Sequence, residues 1–200
     1  MISENDALLD ILRQSPMIVG ILENALLLEL PNWYLGAGCI AQTVWNHRHG
    51  FDLTYNILDC DLVYYDSSDI SAETENSYLR SGKELFKGLP VPVEIVNEAR
   101  VHLWYQKHFG YSITQYKSVE EAIDTWPTTA TSIGIRYEGK GNFNIYAPFG
   151  TEDLLNMIVR ANKKLITREI YHKKVERWSK AWPGLTIVPW GQAPDSSNRQ

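Results

Sequence analysis

The spacing of hydrophobic positions changes period several times along the chain, and each change marks an element. From Ser3 to Leu12, the apolar residues Ala7, Leu8, Ile11 and Leu12 share one face, which predicts a helix. A second helical stripe follows Pro16, with Ile18, Ile21, Leu22, Ala25 and Leu26 on one face and Pro31 as its stop. "NWYL" (Asn32 to Leu35) is a short extended run. After a Gly-Ala-Gly turn, Cys39 to His47 returns to a helical pattern. "DLVYYD" (Asp61 to Asp66) and "VPVEIVN" (Val91 to Asn97) read as strands, and Pro92 places the start of the latter at a sheet edge. The polar stretch between them, Ser71 to Leu85, is a helix or an ordered loop.

The second half continues the alternation of types. "NEARVHLWYQKHFG" predicts a helix with Asn97 as cap, Val101, Trp104 and Tyr105 on one face, and Gly110 as stop. Ser118-x-x-Glu121 matches a capping box and opens a short helix that ends before Pro127. "SIGIRY" and "NFNIYAPF", joined by "EGKG", form a hairpin pattern. Thr151-Glu152-Asp153 puts an acidic first turn on a helix running toward Ala161, and a last helix spans about Thr167 to Trp182. No internal repeat is present. The pattern is that of an α+β protein with one domain over residues 1–190 and a tail, "GQAPDSSNRQ", of disordered composition.

Composition narrows the function classes. The chain has 200 residues, enough for one substantial core, and 44% of them are hydrophobic. A formal net charge of -5 argues against a broad electrostatic grip on extended nucleic acid. Two cysteines, Cys39 and Cys60, make no disulfide framework and suit a reducing cytoplasm. The N-terminus carries no basic leader. The most apolar run, Met17 to Leu30, is interrupted by Glu23, Asn24 and Glu29 and is too short to span a bilayer. A cytoplasmic protein without a membrane segment is expected.

The candidate chemistry begins at the turn "YLGAGCIAQTVW". Gly36, Gly38 and Ala41 fit the G-x-G-x-x-A fingerprint of dinucleotide sites, and Asp59 follows at about the distance of a ribose-binding acid. Asp59, however, precedes the apolar residues of its strand where a ribose-binding acid would follow them. Pro31 and Asn32 also cut short the strand before the turn. The carboxylates point elsewhere. Along an extended chain Asp59 and Asp61 face the same way, and two like charges there have no packing rationale without a divalent metal. Glu94 lies opposite Val91, Val93 and Ile95, and it completes a three-acid cluster if the two strands are neighbours. With a Gly-rich turn whose N–H groups hold phosphate oxygens, this is an apparatus for nucleotidyl transfer with Mg²⁺.

Blander readings stand beside this one. Asp59 and Asp61 fit a solvated strand start, Glu94 a surface ion pair, and the glycines a ligand-free turn. Arg100 fits a structural ion pair or a triphosphate clamp, and His102 a packed histidine. Cys39, His47, His49 and Cys60 match no common zinc spacing. Trp178, Trp182 and Trp190 fit a core better than a base-stacking platform. Lys163, Lys164, Arg168, Lys173, Lys174 and Arg177 form a basic belt that fits a solvated helix face or a phosphate-binding surface.

The order G-x-G, D-x-D, then a single acid on a later strand resembles the DNA polymerase beta-like nucleotidyltransferase superfamily. More closely, "LGAGCIAQTVWN", "DCDLVYYD", "VEIVNEARVHLWY", "WPTTATSIGIRY" and "YAPFGTEDLLNMIVRAN" are similar to a family of small bacterial nucleotidyltransferase-like proteins, over about Trp33 to Pro189. The resemblance implies a mixed sheet backed by helices, with Gly36 and Gly38 on phosphate, Asp59 and Asp61 on metal, Glu94 as third acid, and Asn97, Arg100 and His102 bordering the site. It implies an NTP donor, Mg²⁺ and a hydroxyl acceptor whose identity the sequence leaves open. Ala37 stands where the superfamily turn usually has Gly or Ser and offers no hydroxyl. An inactive nucleotide- or partner-binding module of the same fold is therefore the alternative.

Overall fold

The two N-terminal stripes become helices α1 (Glu4–Leu12) and α2 (Pro16–Ala25) in a computed structural model that describes residues 3–192. Ser3 and Ser15 cap them by accepting from the N–H groups of Asp6 and Ile18. The expected faces are buried, except that Ala7 is half-buried and Leu26 is exposed. The chain tightens to a 3-10 turn at Leu26–Leu28, which rotates Leu26 out to 40% exposure.

Five strands form a mixed sheet in the order β3-β2-β1-β4-β5. They are β1 (Tyr34–Gly36), β2 (Cys60–Tyr64), β3 (Val93–Asn97), β4 (Gly134–Gly139) and β5 (Asn142–Tyr146). β2 and β3 run parallel, and every other pairing is antiparallel. β1 starts later than the sequence suggests because Asn32 takes φ 46°, which breaks the extended backbone. β3 is an edge strand, as Pro92 requires, although the Pro92 carbonyl still accepts from Cys60 N at 3.0 Å. The segment Ser71 to Leu85 resolves as helix α4 (Ala72–Leu85), which packs on β3. Gly82 lies so close to Ile95 that a Cβ there would collide with it.

Helix α3 (Gly38–His49) connects β1 to an antiparallel β2. A dinucleotide fold needs a parallel β-α-β unit at this turn, so the nicotinamide or flavin reading does not hold.

One sheet face is closed by the main core. Leu35, Cys60, Leu62, Tyr64, Ile95 and Ile135 pack there with α1, α2, α3 and helix α8 (Arg168–Ala181). Trp45 of α3 meets Trp178 and Trp182 edge-on at 5.4 Å each, and Trp182 Nε1 donates to Asn46 Oδ1 at 2.6 Å. These C-terminal tryptophans are thus core residues that clamp α8 to α3. The other face is covered only in part, by α5 (Val101–Phe109) and α6 (Val119–Ile123), which carries the predicted Ser118 cap.

The helix expected from Glu152 toward Ala161 is a single turn, α7 (Glu152–Leu155). Met157 takes φ 56°, and the chain then enters a two-stranded parallel sheet of β6 (Ile158–Val159) and β7 (Thr186–Ile187). From residue 193 the expected tail lies outside the described residues. Among the described residues no single helix is long and apolar enough to cross a membrane.

Candidate active site

Because Cys60, Leu62 and Tyr64 enter the core, the pleat turns Asp59, Asp61 and Val63 to the opposite face. That face opens into a cleft of about 450 Å³. Sheet register supplies the third acid. Gly36 of β1, Asp61 of β2 and Glu94 of β3 are Cα partners in one row, so Asp61 and Glu94 are lateral neighbours at the cleft. Asp59 sits immediately before β2 and lines the same cleft.

The acids burden one another. Burial first, and then the charges of Asp59 and Glu94, push the Asp61 carboxyl up to about 7, while Lys174 opposes the shift. Glu98 is buried in the same cleft, and desolvation followed by the charges of Asp61 and Glu75 pushes it up to about 8. Lys174 and Arg177 of α8 also line the cleft. Burial and the Arg177 charge pull the Lys174 ammonium down, against the attraction of Asp61 and Asp59.

The turn beside the acid row is strained and uncapped. Ala37, the N-cap of α3, holds φ 57° and ψ -130° and gives no side-chain cap to the helix. Its own N–H donates to Ile133 O at 3.1 Å. Ala37 and Gly38 line the cleft, so the N-terminus of this twelve-residue helix opens onto it. Gly36 has a different place from the one expected. It is buried in β1, where a Cβ would fall 2.5 Å from Ile133 O and 2.7 Å from the Trp126 ring. Its lack of a side chain lets Trp126 close against the sheet.

Arg100 is not at the cleft. Its guanidinium pairs with Glu75 at 2.9 Å and donates to Ser71 O at 2.6 Å, because α4 brings an acid beside it. The clamp expected of Arg100 therefore gives way to its structural ion-pair reading. Asn97 is buried and ties the chain after β2 to β3, accepting from Asp66 N and donating to Asp66 O. His102 is half-buried, its Nδ1 has no partner, and it does not line the cleft.

Two cations that the sequence submerged in a basic belt are the ones brought to the acids. Ile170, Lys174 and Trp178 follow one another at four-residue spacing on α8, and all three line the cleft. A lysine interrupting an apolar stripe was the available signal. The rest of the belt disperses, with Lys164 on Asp124 at 3.2 Å and Lys163 over the Trp190 ring.

Among the described residues no group of three or more His, Cys, Asp or Glu side chains is drawn together tightly enough to hold a metal ion. The zinc reading of Cys39, His47, His49 and Cys60 has no support, since both thiols are free and buried, and the His49 ring bonds Trp45 O and Gly184 N. The acid row itself is an all-oxygen donor set whose negative charge Lys174 offsets only in part. That suits Mg²⁺, which takes one or two carboxylates and completes its shell with water and substrate phosphates.

Comparison with known proteins bears on the family and the fold. A family model described as nucleotidyltransferase matches residues 23–187. No curated protein matches the chain. One solved structure, titled "The NMR structure of the protein reveals a CCA-adding enzyme head domain", is similar with a TM-score of 0.74 and 22% identity, over 94% of this chain and 97% of that one. At that identity the likeness speaks to the fold, which is that of a nucleotidyltransferase head domain. By the family match over most of its length, the chain belongs to this nucleotidyltransferase family.

Proposed function

We propose that the protein transfers a nucleoside monophosphate from an NTP to a hydroxyl, with Mg²⁺ as its cofactor. The observation that carries this reading is the row of Asp61 and Glu94, with Asp59 beside it, at the uncapped N-terminus of α3. Asp59, Asp61 and Glu94 would share the holding of Mg²⁺, one or two carboxylates to an ion, and Mg²⁺ bound there would supply neutralising charge for the triphosphate and the departing pyrophosphate. Gly38 and the first turn of α3 would take phosphate oxygens, as helix N-termini do. Lys174 and Arg177 would take them from the α8 side, making up for the hydroxyl that Ala37 lacks.

In the transfer, the acceptor oxygen forms a bond to the α-phosphorus as the bond from that phosphorus to the bridging oxygen breaks. Pyrophosphate leaves with the electron pair, and the hydroxyl proton passes to one of the three carboxylates. The overall charge of -5 and the modest cleft favour a compact acceptor over an extended nucleic acid. The two free thiols fit a cytoplasmic protein.

A second reading, a binding module without turnover, draws on Ala37, whose N–H is engaged by Ile133 and whose side chain has no hydroxyl. Radiolabelled donors separate the two. With Mg²⁺ and a pool of small hydroxyl compounds, label should move from α-³²P-NTP and not from γ-³²P-NTP, and Asp61→Asn should stop it. Transfer of the γ-label, or an Asp61→Asn protein working at the wild-type rate, would overturn the reading. Nucleotide binding with no transfer of either label would leave the module.

A further inference from the structure

The cleft does not end at the acids. From Glu94 its lining continues through Val96 to Trp104, Tyr105 and Phe109 of α5. Trp104 and Phe109 are each 39% exposed, a large apolar surface to leave in water in a cleft that also holds the acid row.

The rings are held in place. Tyr105 lies nearly parallel to Trp104, with centroids 6.2 Å apart and planes at 28°, and it meets Phe109 at 4.5 Å. The Tyr105 hydroxyl is in turn bonded to that of Tyr111 at 3.3 Å, and Tyr111 donates to Leu165 O. The result is a preorganised aromatic wall, and no described residue covers the open part of Trp104 or Phe109.

We infer that Trp104, Tyr105 and Phe109 form a stacking subsite for the nucleobase of the NTP. The inference rests on the nucleotide reading above and adds to it where the base lies. Three observations select this occupant. The wall shares one cleft with the acid row and the start of α3, so a ligand anchored there by its phosphates extends along it. The cleft volume of about 450 Å³ is near the lower end for small-molecule sites, which fits one nucleotide better than a long apolar chain. Flat aromatic faces favour a planar ring, and stacking accepts any base because each has a π-face.

The test is equilibrium titration of the full chain with ATP and with inorganic tripolyphosphate, each with Mg²⁺. The proteins are the wild type, Trp104→Ala, Phe109→Ala and Trp104→Phe. Trp104→Ala should weaken ATP about 5- to 150-fold, leave tripolyphosphate unchanged, and be largely rescued by phenylalanine. Unchanged ATP affinity in both alanine variants overturns the subsite, and so does an equal loss for the two ligands. Wild-type protein that binds tripolyphosphate as tightly as ATP also overturns it while leaving the phosphate end intact. Wild-type protein that binds neither overturns the nucleotide reading itself, and the subsite falls with it.

Discussion

The two faces of strand β2 divide labour between neighbouring residues. Cys60, Leu62 and Tyr64 are fully buried in the main core, while Asp59 and Asp61 look into the cleft. The same pleat operates in β3, where Ile95 is buried and Glu94 is exposed. On one face, apolar burial opposes chain entropy and holds the sheet together. On the other, like charges oppose folding and are tolerated because the scaffold beneath them is closed. Stability and chemistry are therefore separable by substitutions one residue apart.

The largest effect is expected of Asp61→Ala. It should cut nucleotidyl transfer by about a hundred- to a thousandfold, the size of single electrostatic contributions to such sites, without lowering the melting temperature. Steady-state rates beside a thermal melt check both halves. Its neighbour should do the reverse. Leu62→Ala, at 0% exposure, should cost about 2–5 kcal/mol of stability, while folded protein at low temperature keeps its nucleotide affinity. Denaturant titration with a binding assay reads this out. Next comes Lys174→Met, which keeps the apolar stem among Ile170 and Trp178. It should weaken Mg²⁺-ATP about 10- to 100-fold with little change in stability, and calorimetric titration decides it.

The smallest effect is on pH dependence. Asp61 and Glu98 titrate at about 7 and about 8 in the folded protein, above their ordinary values of 3.8 and 4.5. The folded state thus holds these protons more tightly than the unfolded one. Their contribution to stability is complete below those ordinary values and is lost as pH rises through 7 to 8. The melting temperature of the free protein should fall by several degrees between pH 5 and 8.5, and Glu98→Gln should flatten the upper part of that fall. A melting temperature that rises over this range would contradict the burial of these acids.

Much of the acid face could be read from the chain, because period-two alternation decides which side chains share a strand face. It placed Asp59 with Asp61 and set Glu94 apart from Val93 and Ile95. Register is not local, however, and only the parallel pairing of β2 with β3 makes Asp61 and Glu94 neighbours. Arg100 was ambiguous for the same reason, since its partner Glu75 arrives from α4. Lys174 reaches the site because Trp178 and Trp182 fix α8 on Trp45, a contact across most of the chain. The helix opening at Glu152 was expected to run toward Ala161 and stops at Leu155, because a positive φ at Met157 gives no periodic signal. Local pattern thus revealed the strands and their acids, while long-range packing determined which cations and aromatic rings joined them.

In the proposed reading, the acid row and the start of α3 together make a site for an NTP with Mg²⁺. Titrating the wild-type protein with ATP in Mg²⁺, and again in EDTA, tests that site most directly. Binding should be saturable and weaken at least tenfold when the metal is removed, because Asp59, Asp61 and Glu94 then repel the triphosphate with only Lys174 and Arg177 to offset them. ATP binding of equal strength in EDTA, or no binding in Mg²⁺, would contradict it.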